Sequence, residues 1–249
     1  MVGVVCEKSN VRGGRVMRYI QLWGLLCLYG ASVFAMATEE DKTLRYLALG
    51  DSYTIGESVD EASRWPNQLA RLLMNEQRVD DDIRVDIIAR TGWTTSQLQA
   101  AIERQSLSPH YDMVSLLIGV NNQFQGQNIR RFEDEFAQLL QTAIALADGN
   151  RERVVVVSIP DYGVTPFGRG YGAARIAQEL DNYNAIQQRI TQAAGVRFVD
   201  ITAHSRKVLD DSSLIANDGL HPSARMYAYW AEQVMLSICT DDGLVCSSK

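Results

Sequence analysis

The run Tyr46-Leu47-Ala48-Leu49-Gly50-Asp51-Ser52-Tyr53-Thr54 sets four apolar residues directly against a small polar turn. A short apolar run closed by Gly and Asp reads as a strand buried on both faces. The same pattern recurs outward along the chain. Val85–Ala89, Met113–Ile118, Val154–Ile159 and Val196–Val199 are rich in β-branched residues and lack alternation with polar ones, as expected in a parallel sheet covered on both sides. Between these runs, Trp65–Met74, Thr95–Arg104, Ile129–Leu146 and Ala174–Ala193 carry helical periodicity. Pro222–Ile238 reads as a last helix with proline in its first turn, and Ser96 and Asp148-Gly149 read as cap-like punctuation. Strands alternating with helices predict an α/β fold in which five strands form a mainly parallel sheet between helical layers.

The 249 residues, 46% apolar and 22% charged, suit a globular protein with one sizeable core, and no repeat or interdomain linker interrupts them. Residues 1–37 read separately, as a cleaved signal peptide. Arg12, Arg15 and Arg18 precede an apolar run from Tyr19 to Phe34, which ends in Ala35-Met36-Ala37. That run is short for a bilayer span of roughly 20 residues and is broken by Gln21 and Gly24, so no membrane span is expected after cleavage. Residues 38–249 then form a single exported domain, periplasmic or secreted. Cleavage removes four of the 24 basic residues and one of the 30 acidic ones, deepening a net charge of −6. Such acidity argues against a nucleic-acid partner. In an oxidising compartment, Cys239 and Cys246 are placed to form a local disulfide.

Sites in open α/β sheets lie beyond the carboxyl ends of the strands. Three strand ends carry polar clusters: Gly50-Asp51-Ser52, Thr91-Gly92-Trp93 and Gly119-Val120-Asn121-Asn122. A fourth cluster, Asp218-Gly219-Leu220-His221, precedes the last helix. A serine hydroxyl needs a base within reach and a third group to orient that base. Of three histidines, His110 falls at the wrong end of the third strand, whereas His204 lies beyond the fifth, on the catalytic side. His221 has Asp218 three residues before it, a spacing that sets both side chains on one side of a turn. Candidate donors to a developing oxyanion are the Ser52 and Gly92 backbone N–H groups and the Asn121 amide.

These clusters resemble, in order, the four blocks of the SGNH hydrolases, also called GDSL lipases and esterases. Tyr46–Thr54 is similar to the first block, Gly92 to the block glycine, Gly119-Val120-Asn121 to the G-x-N element and Asp218-x-x-His221 to the last block. The resemblance implies a flavodoxin-like three-layer α/β/α sandwich and an acyl-enzyme on Ser52. It also implies Asp218 and His221 as the other catalytic residues, an oxyanion hole of Ser52, Gly92 and Asn121, and no metal or organic cofactor. Two positions depart from the pattern: Tyr53 stands where leucine is usual, and Asn122 where aspartate is usual.

The expected substrate is a small-molecule or glycan ester. A carbohydrate O-acetyl group, a lysophospholipid and a thioester all stay open, and the lack of a long apolar lid favours short acyl chains. The aromatic-rich loop Pro160–Gly172, with Tyr162, Phe167 and Tyr171, reads as one wall of the substrate pocket and Trp93 as another. Gly168-Arg169-Gly170-Tyr171-Gly172-Ala173 matches a dinucleotide fingerprint by letter only, because it does not start at a strand end. The rival from another class is a non-catalytic envelope- or carbohydrate-binding protein on the same fold. Oligomeric state is left open.

Overall fold

A computed structural model describes residues 43–75 and 82–239. The signal-peptide segment and Cys246 lie outside the described residues. Five strands, β1 (Leu44–Gly50), β2 (Ile83–Ala89), β3 (Met113–Leu117), β4 (Val154–Val157) and β5 (Arg197–Val199), form one sheet in the order β2-β1-β3-β4-β5. Every neighbouring pair is parallel. This is the flavodoxin-like order. Gly50 pairs with Ala89 on one side and Leu117 on the other, so three strands end level and their following residues emerge at one rim.

The helices are α1 (Ser52–Ile55), α2 (Trp65–Asn75), α3 (Thr95–Arg104), α4 (Val120–Phe124), α5 (Ile129–Leu146), α6 (Ala173–Ala193), α7 (Thr202–Ser205) and α8 (Ala224–Ile238). Packed together, α2 and α8 form one outer layer, and α3, α5 and α6 form the other. All five residues of β3 and all four of β4 are buried, which explains their unbroken apolar character. Trp65 and Trp230 are fully buried on α2 and α8; each such aromatic removes on the order of 200 Å² from water.

Two expected boundaries are corrected. Pro222 precedes the last helix: it is extended and bridges Ile215 in antiparallel fashion, while Ser223 caps the helix by accepting from Met226 N. Ser96 is inside α3, whose cap is Thr94 in a capping box with Gln97. Cys239, at the end of α8, is disulfide-bonded. Among the described residues no helix is long and apolar enough to cross a membrane.

Candidate active site

Ser52 opens α1 at the tip of β1. Asp51 caps that turn, its Oδ1 accepting from Tyr53 N at 3.0 Å and its carbonyl from Thr54 N and Ile55 N. The turn folds back so closely that a Cβ on Gly50 would collide with Thr54 Oγ1 and the Leu117 carbonyl, so glycine is required there. Asp51 is fully buried, and only one carboxylate oxygen is partnered; Oδ2 has none. Burial pushes its carboxyl up to about 7, against the opposing pull of backbone N–H groups.

Asp218 and His221 occupy a tight turn between the two residues of the Ile215–Pro222 bridge. His221 Nδ1 lies 2.6 Å from Asp218 Oδ2, and Asp218 Oδ1 accepts from Leu220 N and His221 N, both at 2.9 Å. A fourth donor comes from 160 positions away: Ser58 Oγ donates to Asp218 Oδ2 at 2.5 Å. Ser58 holds a left-handed φ of +67°, uncommon for serine. Desolvation raises the Asp218 carboxyl, but hydrogen bonds from Ser58, His221 and the two backbone N–H groups outweigh it and hold the group well below the usual carboxylate range. The aspartate thus stays charged and engages Nδ1, leaving Nε2 as the nitrogen for proton transfer.

Gly92 turns the chain after β2 with φ +84°, a conformation that strains any other residue. Asn121, in α4, donates one amide N–H to Trp93 O at 3.0 Å, which ties the β3 rim to the β2 rim and leaves a second amide proton. Fully buried, Asn122 accepts from Thr95 N at 3.1 Å and donates to Thr95 Oγ1 and Gln127 Oε1 at 2.6 and 3.0 Å. It fastens α4 to the start of α3 without a charge.

Ser52, Gly92, Asn121 and His221 line one cavity of about 140 Å³, and Asp218 stands behind His221. No direct hydrogen bond joins Ser52 to His221; such contacts often tighten only when substrate is bound. Tyr162 and Phe167 line the cavity, together with Phe124, which the sequence reading missed. Phe124 follows the G-x-N element by three residues on α4, and this proximity was the available signal. Tyr171 lines a neighbouring hollow of about 450 Å³ and touches Phe167 with ring centroids 5.1 Å apart.

Trp93 is a correction. The turn closed by Trp93 N to Arg90 O carries its indole to the flank of α3, over a separate depression with Gln97 and Arg104. Trp93 is absent from the cavity lining, and its link to the site is the carbonyl that accepts from Asn121. His204 is also remote: its ring stacks on Tyr229, with centroids 3.3 Å apart, beside a different hollow bounded by α2 and α8. His110 lies 2.8 Å from Asp148, at the opposite end of the sheet. Among the described residues no cluster of histidine, cysteine or carboxylate side chains is arranged to hold a metal ion.

The fold and these rim residues define the class, an esterase-type hydrolase of three-layer α/β architecture. The chain belongs to the GDSL-like lipase/acylhydrolase family, which matches residues 48–229. No curated protein sequence matches it. Solved structures of similar fold include TesA (17% identity, TM-score 0.60), covering 78% of this chain and 98% of that one. They also include Axe2, an acetylxylan esterase from Geobacillus stearothermophilus (21%, TM-score 0.62, 83% and 97% covered). A third is the lipase/acylhydrolase from Enterococcus faecalis (18%, TM-score 0.61, 78% and 95% covered).

Proposed function

We propose that this protein hydrolyses short-chain carboxylic esters through an acyl-enzyme on Ser52. The convergence of Ser52, Gly92, Asn121 and His221 on one small cavity, with Asp218 bonded to His221, carries the reading. Ser52 Oγ attacks the ester carbonyl as His221 Nε2 takes its proton. Asp218 stabilises the resulting imidazolium. The Ser52 and Gly92 N–H groups and the remaining Asn121 amide proton receive the oxyanion, where each donor is worth on the order of 10²–10³ in rate. His221 then protonates the departing alcohol oxygen, and a water deprotonated by His221 releases the acid and restores Ser52.

A cavity of about 150 Å³ holds a benzene-sized guest. The 140 Å³ here therefore suits the ester carbonyl and a few carbons, and Axe2, whose name describes removal of acetyl groups, supports the same preference. On p-nitrophenyl esters, kcat/KM is expected to peak between acetyl and butyryl and to fall about tenfold by octanoyl; a steady rise with chain length contradicts this. A fluorophosphonate probe should label the wild type and not Ser52→Ala. Labelling and turnover by Ser52→Ala would refute the assignment. Export with cleavage after Ala37 belongs to the same reading, and the amino-terminal sequence of the exported protein tests it.

A further inference from the structure

We infer that the 450 Å³ hollow beside the catalytic cavity is a sugar-ring subsite, so that the short acyl group is carried by a neutral oligosaccharide; this rests on the ester-hydrolase reading above. The hollow falls within the roughly 300–1,000 Å³ of ligand clefts. It adjoins the cavity across Phe124 and Tyr162, which line both. An ester positioned over Ser52 thus has, next to it, about three times the cavity's own volume for the group beyond the ester oxygen.

Two chemistries meet in the lining. The first is aromatic. Phe124 and Tyr171 line the hollow, 47% and 49% exposed, with ring centroids 5.8 Å apart, and Phe167, 38% exposed, touches both from the catalytic cavity. Large apolar side chains left exposed and gathered in one place mark a binding surface. The second is polar: the amides of Gln127 and Asn182, and the Arg175–Glu179 pair at 3.0 Å, whose charges offset each other.

This mixture separates the possible occupants. An acyl chain here would strip water from amides and charged groups without pairing them, which costs free energy. A quaternary ammonium needs ring faces open around it. Here Phe124 meets Tyr171 and Tyr162 edge to face, so their faces do not converge around one point, and the Arg175 guanidinium opposes a cation. An anion meets Glu179. A pyranose ring satisfies both halves of the lining: its C–H face covers Tyr171 or Phe124 while its hydroxyls pair with Gln127, Asn182 and Glu179.

The test uses the Ser52→Ala protein, so that binding is read without turnover. It is titrated calorimetrically with xylotetraose, cellotetraose and chitotetraose, and separately with lysophosphatidylcholine. Saturable binding of at least one tetrasaccharide is expected, weakened about tenfold or more when Tyr171→Ala or Asn182→Ala is added. Both positions are exposed, so neither change threatens the core. Absence of tetrasaccharide binding, binding indifferent to both changes, or binding of lysophosphatidylcholine alone overturns the inference. Fluorophosphonate labelling of the wild type reports independently on the ester reading. Labelling without sugar binding removes the subsite and keeps the hydrolase; sugar binding that depends on Tyr171, without labelling, keeps the subsite and removes the hydrolase.

Discussion

At the scale of single residues, the Asp218 carboxylate is held by four donors, and Ser58 is the one supplied from a distant part of the chain. A hydrogen bond to a charged group contributes about 1.5–3 kcal/mol, so Ser58→Ala is expected to lower kcat by about tenfold or more. The Asp218 titration, followed by carboxyl NMR, should move upward toward the ordinary range. Full activity with an unmoved titration would show that the contact is idle. Ser52, Gly92, Asn121, Asp218 and His221 were legible in the sequence because each stands in a short polar cluster beside a strand end or the last helix. Ser58 was not, because its partner lies 160 residues away and no local pattern encodes that meeting. Trp93 misled for a related reason: it follows the block glycine in sequence, but the left-handed turn at Gly92 sends its side chain elsewhere.

At the scale of elements, the long helices and the buried strands were readable to within a few residues, since apolar periodicity records which face is buried. The one-turn helices α1, α4 and α7 were not, because four or five residues carry no period. It is α4 that brings Asn121 and Phe124 to the site, and Asn122 fixes it to α3. Asn122→Asp would install the residue usual in the resembling family, yet here it is expected to destabilise the fold by about 1–3 kcal/mol. An aspartate cannot donate to Gln127, and the Thr95 hydroxyl already donates to Glu135. An unchanged melting temperature for Asn122→Asp would mean that the α3–α4 link can rearrange around a charge.

Across the whole molecule, Asp51 links the nucleophile turn to global stability. With its carboxyl raised to about 7, the folded state keeps a proton that the unfolded chain releases near pH 4. Stability should therefore decline as pH rises from about 4 to 7 and level off above, by an amount on the order of a few kcal/mol. Asp51→Asn keeps an acceptor for Tyr53 N and carries no charge, so its melting curves should lose most of that decline; parallel wild-type and variant profiles would refute the account. One backbone bond has a different consequence. Phe167 N donates to Gly219 O at 3.0 Å, joining the aromatic loop to the turn that bears Asp218 and His221. Selectivity and reactivity are therefore yoked: a redesign that reshapes this loop for a new substrate also pulls on the base, and variants that accept bulkier acids should surface in directed evolution as slower enzymes until a second change resets the turn.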